Sequence, residues 1–158
     1  MTTRRIKVPT LGDVIRANWR NDWIEHVAIT LRGPDGRIKD QRSIWNTVTP
    51  NGKEGIADNL LAAPSLGKPT HMAVGTGSPG ANALGAELDR NAFTSKTRAG
   101  AIVTMVGDWA AGDATGALTE AGIFNDPGAG NMWTSTTYDV VNKQSTDTLG
   151  IDWTLEIQ

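Results

Sequence analysis

Two carboxylate pairs are the side chains of this 158-residue sequence whose type and spacing could do chemistry. Glu87 and Asp89 lie two residues apart, and Asp108 and Asp113 flank a loop of small residues. Paired carboxylates can carry out acid–base catalysis or bind calcium. Because the chain contains 17 acidic residues, such pairs also arise by chance. We expect most of these side chains on the solvated surface and assign no catalytic residue.

A glycine-rich segment, Gly75-Thr76-Gly77-Ser78-Pro79-Gly80, matches the GxGxxG pattern of dinucleotide-binding proteins. That pattern requires a helix whose N-terminus faces the pyrophosphate, and proline and glycine at the following positions are poor helix formers. No βαβ repeat surrounds the segment. We therefore predict a tight surface loop with at least one glycine at positive φ, and we expect no nucleotide and no cofactor.

Glu120 and the two histidines complete the candidate residues. Glu120 shares a strand face with Leu118 and Gly122, so its carboxylate could accept hydrogen bonds from backbone N–H groups or simply face solvent. His26 and His71 are isolated, and no cluster of ligands has the spacing of a metal site. We predict two hydrogen-bonded structural histidines and no metal.

Most of the elements that must position these residues are predicted to be β-strands. Residues 149–158 alternate apolar and polar side chains, which is the period of a strand with one buried face. Other strands are expected over 22–31, 37–48, 71–75, 93–106, 118–124 and 132–141, with 93–106 bent or interrupted near Ala99-Gly100. Short helices are expected over 11–19 and 50–63, the second with Asn51 as a cap.

This pattern predicts a mainly β protein, an antiparallel β-sandwich or jelly roll with one or two short helices and an N-terminal arm. We divide the chain into a basic arm with a short helix over residues 1–20 and a β-sandwich body over 21–158. The arm contains five basic residues and one acidic residue, and the remainder contains 10 basic and 16 acidic residues. The arm is either suited to a different surface from the body or a solvated, frayed terminus.

Composition also narrows the classes of function. Cysteine is absent, so disulfides and zinc–thiolate sites are excluded. The first seven residues lack the apolar core of a signal peptide, and no apolar run approaches the roughly 20 residues that span a bilayer. We expect a soluble protein whose partners are neither membranes nor nucleic acids.

Several short segments, in order along the chain, resemble small virion proteins of tailed bacteriophages. Those proteins show a strand ending in "NTV", a "GTG" loop, a "TEAG(I/L)F" block and a "VNK…DTL" ending. The matching segments here are residues 44–48, 71–77, 84–90, 119–125 and 141–154. The resemblance implies a β-rich structural component of a virion without enzymatic activity.

The resemblance favours a capsid decoration (cement) protein that binds the outer shell. Its partner would be the major capsid protein or another virion protein, and we expect a homo-oligomer located in the virion after assembly in the bacterial host cytoplasm. A tail, neck or fibre-attachment subunit is the close alternative. A carbohydrate-binding β-sandwich is the other, with Trp109 or Trp133 as a sugar platform beside Asp108 or Asp113.

The arm supplies the candidate interface residues. Arg4, Arg5 and Lys7 could steer it to a neighbouring acidic surface. Trp19 and Trp23, spaced i and i+4 where the arm meets the body, could act as apolar anchors. Because such an arm buries little surface alone, we expect a neighbouring subunit to order it.

Overall fold

The computed structural model describes residues 23–157, and within this range the chain forms nine β-strands and one α-helix. The strands are β1 (Trp23–Arg32), β2 (Ile38–Val48), β3 (His71–Gly75), β4 (Glu87–Ala92), β5 (Ser95–Ala99), β6 (Ile102–Trp109), β7 (Gly116–Phe124), β8 (Met132–Lys143) and β9 (Thr148–Ile157). The helix, α1 (Pro50–Asp58), lies between β2 and β3. The arm, with its predicted helix and the boundary at residue 20, lies outside the described residues. None of the described helical segments is long and apolar enough to cross a membrane.

The strands form two packed antiparallel layers, so the predicted β-sandwich is confirmed. Hydrogen bonding connects the strands in the order β4-β3-β7-β8-β2-β1-β9-β6-β5. Strand β2 belongs to both layers, because it pairs with β1 along most of its length while Thr47 and Val48 at its end pair with β8. The Gly33–Gly36 turn joins β1 to β2 as predicted, with Gly36 at φ 78°.

The core lies between the layers and is built from alternate positions of the strands. Val27, Ile29 and Leu31 of β1 are buried beside the inward-facing residues of β9. The final strand is central, since it pairs with β1 on one side and β6 on the other. Its Leu149, Ile151 and Trp153 are buried, as the alternation predicts, whereas Leu155 and Ile157 near its end remain partly exposed.

Residues 93–106 form a corner and a hairpin rather than one long strand. Strands β5 and β6 pair antiparallel across a turn that contains Gly100 at φ 60°, so the predicted interruption is a full reversal of the chain. Strand propensity is similar on both sides of this glycine, so composition does not reveal the reversal. At the corner, Phe93 N–H donates to Thr70 O at 3.0 Å and Thr94 N–H donates to Val106 O at 2.8 Å.

The helix and β4 also differ from the sequence prediction. Thr49, rather than Asn51, is the N-cap, and its hydroxyl accepts from Gly52 N–H at 3.1 Å. Pro50 follows as the first helical residue, a position where its missing N–H costs nothing. The helix ends at Asp58, earlier than predicted. Strand β4 was not predicted because it is mostly polar, which suits its place at the edge of the hydrogen-bonded row.

Candidate functional site

Glu120 of β7 is fully buried and holds the glycine-rich segment in place. Its Oε1 accepts hydrogen bonds from Gly77 N–H at 2.9 Å and Ala86 N–H at 2.7 Å, and its Oε2 accepts from Gly85 N–H at 2.8 Å. Of the two alternatives that the sequence left open, the carboxylate bonded to backbone is therefore the one observed. Backbone amides of this kind cradle phosphate in nucleotide sites, and here they are bonded to the protein's own carboxylate.

Gly75 and Gly77 of this segment are required by close packing and not by left-handed backbone. Gly75, Gly77 and Gly80 all lie outside the positive-φ region, so the prediction of a positive φ there is wrong. A Cβ atom on Gly75 would lie 2.5 Å from Glu120 Oε1, and one on Gly77 would lie 2.6 Å from Ala86 N. Glycine is needed here because the backbone must approach the carboxylate closely.

A second buried polar cluster closes the turn between β8 and β9. The Lys143 ammonium donates to Ala110 O at 3.0 Å and to Asp147 O at 2.7 Å. The Asp147 carboxylate accepts from Lys39 Nζ at 2.6 Å and from Gln144 N–H at 3.0 Å. The hydrogen bond from Lys39 holds the pKa of Asp147 below its usual range, whereas burial lowers the pKa of Lys143. The cluster thus ties three separate segments together.

An apolar groove of about 480 Å³ opens between the two layers at the end where β9 finishes; we call it the end groove. Both layers and α1 contribute to its walls, which include Ile56, Leu60, Val103, Trp133, Leu155 and Ile157. Lys68, Lys96 and Arg98 also line it. The pKa of Lys96 is lowered by burial and by the nearby charge of Lys68. Sequence reasoning did not anticipate this groove, because its walls come from segments far apart in the chain.

Glu25 lies in the wall of the end groove as a buried acid on a strand of core residues. Its Oε2 accepts hydrogen bonds from the side chains of Asn46, Thr134 and Trp153. Burial raises the pKa of this carboxyl, and the three hydrogen bonds act in the opposite direction. The sequence contains a signal for this burial, since Glu25 has the same parity in β1 as the buried Val27.

The carboxylate pairs singled out in the sequence fall in two different places. Glu87 forms two hydrogen bonds with the Arg90 guanidinium, at 2.6 and 2.8 Å. Asp108 and Asp113 line a polar cavity of about 510 Å³ together with Asp152. Within residues 23–157, no group of three or more histidines and acidic residues is placed to hold a metal ion.

The histidines and tryptophans make structural contacts. His26 forms a hydrogen bond with Ser43, and His71 forms one with Thr70. Trp109 is only 1% exposed and Trp133 only 9%, so little of either ring is open to a ligand. Trp109 lines the polar cavity beside Asp108 and Asp113, and Trp133 lines the end groove. Trp45, by contrast, is 71% exposed and meets the His26 ring edge-on at a centroid distance of 5.5 Å.

Of the five candidate interface residues, only Trp23 lies within the described residues. Trp23 is the first residue of β1 and pairs with Ile157 of β9. Arg4, Arg5, Lys7 and Trp19 lie outside the described residues. Comparisons with protein-family models, with curated proteins and with solved structures found no match to this chain.

Proposed function

We propose that this protein is a non-enzymatic structural component of a tailed-phage virion, specifically a capsid decoration protein that binds the outer shell. Several segments resemble small virion proteins and occur in the same order along the chain, and this resemblance suggests the class of protein. The observation that carries the proposal is that charged residues in those segments have a structural role. Glu120, Lys143 and Asp147 are all buried, and each fixes a loop by hydrogen bonds to backbone groups.

Such contacts suit a protein whose task is to keep one shape. Charge-assisted hydrogen bonds are stronger than neutral ones, and buried bonds of this kind hold the surrounding loops in one arrangement. A subunit that covers a shell under internal pressure needs loops that do not rearrange. The same argument supports a tail, neck or fibre-attachment subunit, which remains the alternative position in the particle.

Charge supports attachment through the arm. The residues after position 20 carry a net charge of −6, whereas residues 1–20 carry +4. Opposite charges across an interface accelerate encounter and select the partner. We propose that Arg4, Arg5 and Lys7 contact an acidic surface of the major capsid protein or another virion protein, within a homo-oligomer assembled in the bacterial cytoplasm.

Electron microscopy of the parent phage particle, labelled at this protein, tests the proposal. Label distributed over the shell supports decoration, and label confined to the tail, neck or fibre base supports the alternative position. Purified particles that carry no label at all, although the infected cell makes the protein, would reject a virion role.

A further inference from the structure

The end groove leaves large apolar side chains open to water. Leu60 is 85% exposed and Ile157 is 47% exposed, and both line the groove. Ile56, Val103 and Leu155 continue the same apolar wall inward. A contiguous apolar surface of this kind is characteristic of a binding site. The question is which segment covers it.

The chain itself reaches the groove at the start of β1. Trp23 pairs with Ile157, which lines the groove, so β1 begins at the groove margin. The two preceding residues are Asn21 and Asp22, which favour turns. A reversal at this point would direct residues 10–20 back over the groove rather than away from the body.

The composition of this segment fits the groove better than that of the residues before it. Leu11, Val14, Ile15 and Trp19 fall on one face at helical spacing. A helix over residues 11–19 would be about 13 Å long. Residues 10–20 contain one acidic and two basic groups, so they bring a net charge of only +1 to a rim that already carries Lys68, Lys96 and Arg98. Residues 1–9 carry three basic groups and no acid, so the rim would repel them.

We propose that residues 10–20 bind in the end groove of their own chain, with the Leu11–Trp19 face against its apolar walls. Trp19 then anchors the arm to its own body, and Arg4, Arg5 and Lys7 extend beyond the groove toward a partner. This assignment replaces the neighbouring subunit as the contact of Trp19. It stands independently of the proposed virion role, because the experiments below need only the purified protein.

Cross-linking of the full-length chain tests where the segment lies. Because the protein has no cysteine, two engineered cysteines can be linked without a background reaction. The pair Ile15→Cys and Leu60→Cys, treated with a short bismaleimide, should link within one chain and give a cross-linked peptide from the monomer band. The control pair is Ile15→Cys with Ile38→Cys, because Ile38 is an exposed isoleucine at the opposite end of the β1–β2 hairpin. It should remain unlinked.

Each other outcome rejects the proposal. A linked dimer for the Leu60 pair would show that the arm of a second copy occupies the groove. Absence of any link, or equal linking of the two pairs, would show that residues 10–20 do not bind there.

Thermal unfolding of two tryptophan variants gives a second measurement that needs no cross-link. Trp19→Ala should lower the Tm by roughly 5 °C or more, because it removes a large apolar anchor from the groove. Trp45→Ala is the matched control, since Trp45 is largely exposed on the outer face of β2 and its loss should move the Tm little. An equal, small change in both variants would overturn the inference.

Discussion

Several ionisable residues of this protein are buried. Glu25, Glu120, Lys143 and Asp147 all lie inside the fold, where an ionised group needs partners. The burial of Glu120 could be predicted from the sequence, because this residue lies between apolar neighbours in a strand. The partners of Lys143 and Asp147 could not be predicted, since they include carbonyl groups and a lysine distant in sequence.

The Glu120 carboxylate should be worth far more to stability than an exposed one. Glu120→Gln would leave an amide NH₂ facing backbone donors, so we expect the free energy of unfolding to fall by about 2 kcal/mol. Glu54→Gln, on the exposed side of α1, is the control and should change it by less than about 0.5 kcal/mol. Urea titration measures both, and equal effects would show that the glycine-rich segment does not depend on this carboxylate.

Glu25 should make stability depend on pH. Its folded pKa lies above the ordinary value of 4.5, so the folded state holds the proton more tightly than the unfolded state. The stability it contributes is therefore complete below the ordinary pKa and is lost as the pH rises through the raised folded pKa. Glu25→Gln cannot ionise, so its stability relative to the parent protein should improve as the pH rises from below 4.5 through the raised folded pKa. A difference that does not vary over this range would contradict the assignment.

At the scale of elements, the glycine-rich segment and β9 show what local sequence can and cannot reveal. The alternation in β9 correctly identified its buried face, because one face of a paired strand is all that such a pattern encodes. The loop was located correctly, but its glycines were attributed to left-handed backbone. The close approach of Gly77 to a carboxylate 43 residues away follows only from tertiary structure.

A side chain at Gly85 should disrupt the loop. Its Cβ atom would meet the Ser78 backbone at 2.7 Å from the nitrogen, with the carbonyl oxygen closer still, so neither neighbour can move aside cheaply. We expect Gly85→Ala to cost about 1–3 kcal/mol of unfolding free energy. Gly128→Ala is the control, because its Cβ would meet nothing within 4 Å. Equal melting temperatures for the two variants would argue against the observed packing.

Strand β9 should be indispensable to the core. Trp153 is fully buried and donates to Glu25, so Trp153→Ala should lower the free energy of unfolding by about 3–5 kcal/mol. Denaturant unfolding of this variant beside Trp45→Ala separates burial from the mere loss of an aromatic ring. A loss of less than 1 kcal/mol would mean that the strand packs differently in solution.

For the whole molecule, the sequence predicted the sandwich but not the way its layers join. Polar β4 and the reversal at Gly100 were missed, because edge strands and two-residue turns carry weak local signals. The end groove was also missed, since it exists only where two layers and a helix meet. Function was inferred from a resemblance between segments, and it remains a proposal.

Removal of residues 1–9 should affect attachment rather than folding. These residues carry three basic groups and precede the segment proposed for the end groove, so the body should retain its Tm. Binding to particles stripped of this component should weaken, most clearly at low salt, because charged rim contacts are screened as ionic strength rises. Co-sedimentation of truncated and intact protein measures the change. Equal occupancy at every salt concentration would show that the basic residues make no contact.

The corner at Phe93 and Thr94 has a consequence for how copies can associate. It joins β4 and β5, which are the two outermost strands of the hydrogen-bonded row, so both edges of the row meet at one short stretch of chain. Open sheet edges are templates on which identical chains add strands without limit. Here the two edges adjoin, and β4 carries the acidic residues Glu87 and Asp89. Copies of this protein should therefore resist adding to one another strand by strand into fibrils through these edges.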